Sequence, residues 1–98
     1  MAHSPLLWTD VDSSNIESVA FNEGSKTLVV KFNSGAIYSY DDVDMDIYVD
    51  LVHAKSVGQF LNQMIKGRYA YHRWFSEQDL IKALGEPKGV AYSSLDYA

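Results

Sequence analysis

The chain has 98 residues, 47% of them hydrophobic and 21% charged, a length that fits one compact domain and excludes a two-domain enzyme. It contains no cysteine, which excludes a disulfide framework, a thiolate metal site and a cysteine nucleophile, and favours a reducing compartment such as the cytoplasm. The net charge of -5 argues against a general polyanion binder, and we expect neither a membrane span nor a secretion signal.

The first half of the chain predicts an antiparallel meander of three short strands between residues 13 and 40. Alternating apolar residues come before turn residues at 22–25 and again at 33–35. If Gly35 takes a left-handed conformation at the end of a three-residue loop, the second hairpin has a defined register. A two-residue turn would shift the register by one and turn its tyrosines to the other face. We favour the three-residue loop, which places Phe32, Val30 and Leu28 opposite Ala36, Tyr38 and Tyr40.

Beyond residue 42 the apolar period becomes that of a helix. A first helix of about three turns is predicted to begin near Asp44, with one apolar stripe. A second begins at Ser56, which forms a capping box with Gln59, and Gly67 can close it. The stripe of the first helix consists of Ile47, Tyr48, Leu51 and Val52, and that of the second consists of Val57, Phe60, Leu61, Met64 and Ile65.

A third, shorter helix is predicted over residues 77–84, with Ser76 as its N-cap and Gly85 and Pro87 ending it. Residues 88–98 fit either a tail or one extra strand through Val90 and Tyr92.

These elements predict an α+β domain. A three-stranded antiparallel sheet is covered on one face by two helices, and the third helix packs at one end. We divide the chain into an N-terminal segment (1–12), the domain itself (13–75) and a C-terminal extension (76–98).

Charge is distributed unevenly along the chain. Residues 41–50 carry five aspartates and no base, whereas residues 51–75 carry four Lys or Arg, two histidines and no acid. Cations contact phosphates and aromatic rings stack on bases, so the second segment is the candidate anion site. The ligand-binding candidates are Lys66, Arg68, Tyr69, His72 and Arg73, joined by Tyr38 and Tyr40.

The same residues have a structural alternative. Tyr69, Tyr71 or Trp74 can close the end of a small core while the arginine stems cover them. By the register argument, Tyr38 and Tyr40 can be core residues with their hydroxyls at the edge.

No residue pattern points to catalysis or to a metal. Asp42, Asp44 and Asp46 alternate like the first ligands of a calcium loop, but Ile47 and His53 stand where that loop needs glycine and glutamate. We interpret the aspartates as a helix cap and first-turn acids. The histidines have no motif partner and no phosphate-binding glycine loop is present, so we expect no enzymatic activity, metal or cofactor.

The order of several short motifs resembles the KTSC domain. They are Ser14-Asn15-Ile16, then Leu28-x-Val30-x-Phe32-x-x-Gly35-x-x-Tyr38-x-Tyr40, then Ala54-x-Ser56-x-Gly58-x-Phe60-x-Asn62-x-x-Ile65-Lys66-x-x-Tyr69. That family is named after the C-terminus of some lysyl-tRNA synthetases and includes free-standing bacterial and phage proteins. The resemblance covers about residues 13–72 and implies no established activity, although the link to a synthetase implies RNA binding as a hypothesis.

This chain departs from the family pattern at two places. Asp44 follows Val43 where the family often has proline, and residues 76–98 extend beyond the usual end of the domain.

Two functional hypotheses follow. The first is non-enzymatic binding of RNA or a nucleotide-like anion, with Arg68 and Arg73 as the cations and Tyr69 or His72 as the stacking surface. The second is a protein-interaction module, or a phage-type inhibitor or sequestering protein, which acts through acidic residues 41–50 or the C-terminal extension.

Overall fold

A computed structural model describes residues 7–84 and the backbone of residues 89–90. In chain order, the elements are β1 (Thr9–Asp10), β2 (Ile16–Asn22), β3 (Thr27–Phe32), β4 (Ile37–Tyr40), α1 (Met45–His53), α2 (Val57–Phe60), a π-helix (Leu61–Ile65), β5 (Tyr71–Trp74), α3 (Glu77–Leu84) and β6 (Gly89–Val90).

One antiparallel sheet organises the chain. Its strands follow the order β1-β2-β3-β4-β5. The short strand β6 pairs with β2 on the same edge as β1, but at Phe21 and Asn22 instead of Ser18 and Val19. The sheet is therefore larger than the three strands predicted from the sequence, although the α+β class is correct. The sequence offered β6 as one of two alternatives but did not predict β1, which is only two residues long and depends on β2 for its hydrogen bonds.

The β3–β4 hairpin has the predicted register. Val30 pairs with Tyr38 and Leu28 pairs with Tyr40. Gly35 has a φ of 95°, and its amide donates to the carbonyl oxygen of Phe32 at 2.8 Å. A left-handed residue at the end of the three-residue loop therefore sets which face each tyrosine occupies, as the sequence predicts.

The first core lies between one face of the sheet and the helices α1 and α2 with the π-helix. Phe21 from β2 stacks on Tyr48 from α1, with ring centroids 5.4 Å apart. The Tyr48 hydroxyl reaches across to the hydroxyl of Thr9 at 3.2 Å, which ties β1 to this helix. The predicted stripe of α1 is confirmed, because Tyr48 and Leu51 are buried and their neighbours pack at the edge of the core.

The second predicted helix is present but is not α-helical throughout. Ser56 Oγ accepts from the amide of Gln59 at 3.3 Å, as the capping box predicts. From Leu61 the helix widens into π geometry, and Lys66 N donates to the carbonyl oxygen of Leu61. The prediction that Met64 is buried is wrong, since its exposed fraction is 41%. A π-helix has more residues per turn, which rotates this side chain away from the buried line of Leu61 and Ile65.

The opposite face of the sheet carries a second core, which changes the predicted position of the third helix. Ser76 caps α3 as expected, with its Oγ accepting from the amide of Asp79 at 3.1 Å. The helix lies on this second face instead of at one end of the domain, and Leu80 is fully buried there. The reason is that Ala20, Val29 and Ile37 point to this side and need an apolar cover. Two tryptophans and the remaining apolar residues of α3 complete this core: Trp8, Trp74, Ile81 and Leu84.

The chain ends contribute to the sheet. Val90 lies in β6, as one of the two sequence alternatives predicts, whereas Tyr92 falls outside the described residues. None of the helices in residues 7–84 combines the length and apolar character required to cross a bilayer.

The left-handed turn residue is open to a direct test. We expect Gly35→Ala to lower the free energy of unfolding by about 1 kcal/mol or more, because a Cβ is strained at positive φ. Apart from the adjoining residues, no atom of the described chain lies within 4 Å of the added methyl, so the expected cost is backbone strain. Gly58→Ala is the matched control: it lies in α2, its Cβ would meet Ser13 Oγ at an ordinary 3.7 Å, and we expect no loss. Urea denaturation of both variants measures the difference, and an unchanged midpoint for Gly35→Ala would contradict the assigned register.

The second core is tested at its centre. Leu80→Ala removes a fully buried side chain, so we expect a loss of about 2 to 4 kcal/mol in the free energy of unfolding. Lys82→Ala changes an exposed residue of the same helix, and we expect a change of about 0.5 kcal/mol or less. If thermal or urea denaturation gives equal midpoints for the two variants, α3 does not cover the sheet.

Candidate functional site

A cleft of about 670 Å³ opens on the first face of the sheet, beside the point where the helical cover ends. Its floor and one wall come from β3, β4 and β5, and its other walls come from the turn before β2, the β3–β4 turn and the end of the π-helix. The lining residues are Ser14, Asn15, Phe32, Asn33, Ser34, Ala36, Tyr38, Tyr40, Lys66, Gly67 and Tyr71.

Two loops form one polar wall because hydrogen bonds tie them together. The side-chain amide of Asn33 donates to the carbonyl oxygen of Ser14 at 2.9 Å. The backbone amide of Asn33 donates to the carbonyl oxygen of Asn15 at 2.8 Å. Ser13 stabilises the turn before β2, because its Oγ accepts hydrogen bonds from the backbone amides of Asn15 and Ile16, each at 3.2 Å. These bonds fix the wall with respect to the sheet.

The floor of the cleft is a row of aromatic rings. Phe32 meets Tyr38 edge to face, with centroids 5.6 Å apart and planes at 87°. Tyr71 on β5 lies 6.0 Å from Tyr38 and 6.3 Å from Tyr40. Because Tyr71 is opposite Tyr40 across the β4–β5 pair, the three tyrosines share one face. Tyr71 has an exposed fraction of 61%, so much of its ring is available for contact.

Lys66 supplies the charge of the cleft. It follows the last turn of the π-helix, and Gly67, with a φ of 79°, turns the chain immediately after it. The ammonium lies 5.9 Å from the centroid of Phe32, within the range of a cation–π contact. Among the described residues that line the cleft, Lys66 is the one charged residue and none carries a carboxylate. In a chain of net charge -5, this cleft is therefore a local site for an anion.

Tyr40 lies at the opposite end of the ring row from Lys66. It is 2% exposed, and its burial, followed by the nearby Tyr38 and Tyr71, raises its pKa from 10.0 to about 12. Its phenol therefore stays neutral at physiological pH.

Three of the seven residues that the sequence suggests for ligand binding line this cleft: Tyr38, Tyr40 and Lys66. The core alternative is confirmed for Tyr40, which belongs to the first core, and Tyr38 packs against that core; both also line the cleft, and their role in ligand binding stays a prediction. Tyr69 instead packs against the first core and does not line the cleft.

The other three candidates lie elsewhere. Arg68 is outside the lining, and its Nε donates to the carbonyl oxygen of Gln63 at 3.2 Å. Arg73 pairs with Tyr38 and shares its face, but its guanidinium lies 5.2 Å from the ring centroid of Phe75. His72 alternates to the second face, where its Nε2 lies 3.3 Å from a carboxylate oxygen of Asp41. The acid-free segment thus does not form one positive surface, since a strand sends neighbouring side chains to opposite faces.

Residues 71–74 form a strand that the sequence analysis did not assign. The signal was present, because tyrosine and tryptophan are typical strand residues and the segment alternates. Asn15 and Asn33 were also missed as site residues. Asn15 stands in the Ser14-Asn15-Ile16 motif and Asn33 in a predicted turn, but neither pattern indicates a ligand contact, because the two residues are brought together by contacts between loops.

A smaller cleft of about 480 Å³ lies on the second face. It contains Asp41, Asp42 and His72 beside Trp74, whose indole donates to Ser39 Oγ at 2.7 Å. Its two carboxylates make it a poor anion site.

The alternating aspartates do not act as a side-chain cap. Asp44 occupies the N-cap position of α1, but its carboxylate makes no capping hydrogen bond and lies 3.5 Å from Lys26 Nζ. Within residues 7–84, no three acidic or histidine side chains gather where they could hold a metal ion.

Comparison with known proteins identifies the domain. The model of the KTSC domain family matches residues 12–69, which is more than half of the chain. The chain belongs to the KTSC domain family. The crystal structure of a KTSC domain protein from Yersinia pestis has a TM-score of 0.68 and 25% sequence identity, and the match covers 70% of this chain and 97% of that one. The family predicted from the sequence motifs is therefore confirmed.

Its relatives include domain-sized proteins and parts of larger ones. A protein from Tsukamurella paurometabola is 36% identical over 59 residues, which is 60% of this chain and 88% of that protein. A lysine–tRNA ligase from Nostoc punctiforme is 33% identical over 69 residues, which is 70% of this chain and 12% of the ligase. This KTSC domain is thus similar to a small part of the ligase.

The raised pKa of Tyr40 gives a pH-dependent stability. Between about pH 10 and about pH 12 the unfolded chain loses this proton while the folded chain keeps it, so the free energy of unfolding falls as the pH rises. Below that interval the phenol is neutral in both states and adds no pH dependence.

Tyr40→Phe should remove this part of the pH dependence. We expect the wild-type chain to lose more stability than the variant when urea denaturation is compared at about pH 9 and about pH 11.5. Tyr71→Phe removes an exposed phenol of the same cluster and should keep most of the wild-type loss. Equal losses in the wild type and Tyr40→Phe would show that burial does not hold this proton.

Proposed function

We propose that this KTSC domain is a non-enzymatic binding module whose cleft takes a nucleotide unit, either free or within single-stranded RNA. The observation that carries the proposal is the combination of Lys66 with the row of aromatic rings inside one cleft. A phosphate needs a cation or hydrogen-bond donors, and a base needs a planar surface, so this pairing fits a nucleotide.

Stacking on Tyr71 is the contact expected for the base. Its ring is exposed and lines the cleft, and its centroid lies 6.0 Å from that of the Tyr38 ring, which packs beside it. Base stacking on an aromatic ring contributes about 1 to 3 kcal/mol and tolerates any base. Tyr71 and Tyr38 therefore form a platform, with the polar wall of Asn15 and Asn33 beside it.

The phosphate is assigned to Lys66. With one cation and no carboxylate in the lining, the cleft favours a ligand that carries few charges. A polynucleotide held by many phosphates would lose about 10³ to 10⁵ in affinity between about 50 and 200 mM salt, whereas one contact gives a much shallower dependence. We therefore expect a salt slope near that of a single phosphate contact.

A binding role is favoured over catalysis by the chemistry of the lining. The lining residues that the structure describes include no carboxylate, imidazole or thiol, which are the usual general bases and nucleophiles. Its most buried phenol, Tyr40, has a raised pKa and is a poor base at neutral pH. The lack of cysteine in the sequence agrees with binding in the cytoplasm.

The test is a calorimetric titration of the full chain with uridine 5′-monophosphate and with a short oligouridine. We expect Lys66→Ala to weaken binding about tenfold or more and Tyr71→Ala to weaken it by about the same factor. Lys55→Ala is the matched charge control, because Lys55 is exposed and outside the lining, and it should bind normally. Phe75→Ala is the matched aromatic control, since Phe75 is 85% exposed but outside the cleft.

Two further variants separate the cleft from the site predicted by sequence alone. If Arg68→Ala and Arg73→Ala lower affinity while Lys66→Ala does not, the ligand lies along residues 68–73 and the cleft proposal fails. If the oligouridine binds and the mononucleotide does not, single-stranded RNA is the source of the nucleotide unit. Equal affinity for the two ligands would show that a free nucleotide makes all the contacts needed for binding.

Binding of a protein partner remains the rival proposal, in keeping with an inhibitor or sequestering role. Two exposed aromatic residues favour it. Tyr71 lies on β5, the strand at the edge of the described sheet, and Phe75 follows that strand directly. Truncation after Phe75 cannot test it, since that change would uncover the second core around Leu80. Partner capture that is lost in Phe75→Ala and kept in Lys66→Ala would favour this rival.

A further inference from the structure

Within the part of the chain that the structure describes, the hydroxyl of Tyr40 has no hydrogen-bond partner. Its side chain is 2% exposed and lines the cleft, yet no hydrogen bond joins its hydroxyl to any described residue. Among the described residues, the one fully buried side-chain nitrogen or oxygen without a partner is Nδ2 of Asn22, so the Tyr40 hydroxyl is not sealed from solvent and is available to a ligand in the cleft. Trp74, which is also part-buried, shows the usual situation, because its indole is bonded to Ser39.

The cleft has two chemically different ends. Lys66 lies over Phe32 at the hairpin end, and the rings then run through Tyr38 and Tyr71 toward Tyr40. Phe32 is level with Ala36, which is four residues before Tyr40, so the backbone positions at the two ends are roughly 13 Å apart. This separation is comparable to the length of one nucleotide.

Resting on the function proposed above, we infer that Tyr40 donates a hydrogen bond to a neutral acceptor on the base, while Lys66 holds the phosphate at the other end. The ligand class is thus a nucleotide bound lengthwise along β4, with its base toward Tyr40 and stacked on Tyr71.

The opposite orientation is disfavoured by the surroundings of Tyr40. Burial, which is the largest cause of its raised pKa, opposes negative charge there. A phosphate at that end would meet the same opposition, whereas the carbonyl oxygen of a base would not. The Tyr40 hydroxyl and the Lys66 ammonium therefore favour the same orientation of the ligand, with the base toward Tyr40 and the phosphate toward Lys66.

The experiment compares uridine with uridine 5′-monophosphate in NMR titrations of the full chain. We expect Tyr40→Phe to weaken both ligands by the same factor, about threefold to tenfold for one hydrogen bond. Lys66→Ala should weaken the monophosphate and leave uridine unchanged. Tyr69→Phe is the matched control, because it removes the same atom from a half-buried tyrosine outside the cleft. Thermal denaturation of each variant verifies folding.

The outcomes separate this inference from the proposed function. If Tyr40→Phe binds both ligands normally while Lys66→Ala weakens the monophosphate, the cleft still binds nucleotides but the role of Tyr40 is refuted. If Tyr40→Phe weakens the monophosphate and not uridine, the phosphate lies at Tyr40 and the orientation is reversed. Failure of the wild-type chain to bind uridine contradicts a base contact at Tyr40, and failure to bind any nucleotide overturns both proposals.

Discussion

The register of the β3–β4 hairpin is the constraint on which the rest of the molecule depends. Gly35 at a φ of 95° closes the loop, and this places Tyr38 and Tyr40 opposite Val30 and Leu28. A slip of one residue would send both tyrosines to the face where Leu80 is buried and would remove the aromatic floor of the cleft. One backbone conformation therefore sets both the packing and the candidate site.

The sheet is covered on both faces, but the first face is covered only in part. Helices α1 and α2 with the π-helix bury the region around Phe21 and Leu61, and the helical cover ends at Ile65. Beyond that point the sheet surface is open and the ring row is accessible from the cleft. The widened π turn matters here, because it ends with Lys66 at the cleft and turns Met64 toward solvent.

The basic side chains of residues 51–75 are adjacent in sequence but do not lie together, because successive side chains of a strand point to opposite faces of the sheet. On β5, Tyr71 and Arg73 share the face of the cleft, whereas His72 faces Asp41 on the other side. The basic character of residues 51–75 is thus divided between two faces, and of the described lining residues Lys66 is the one that brings charge into the cleft. This distribution favours a small ligand of low charge over an extended polyanion.

The sequence by itself determined the α+β class, the family, the meander with its register, and the beginnings of the helices at Asp44, Ser56 and Ser76. These features depend on local rules, namely alternation, capping and a glycine in a turn. The tertiary structure alone decided that α3 lies on the second face, that β1 and β6 share the edge of β2, and that Asn33 joins two loops. It also separated Arg68, Tyr69 and His72 from Lys66, because neighbours in sequence lie on different faces of the sheet or at different ends of a turn, and only packing brings distant residues together.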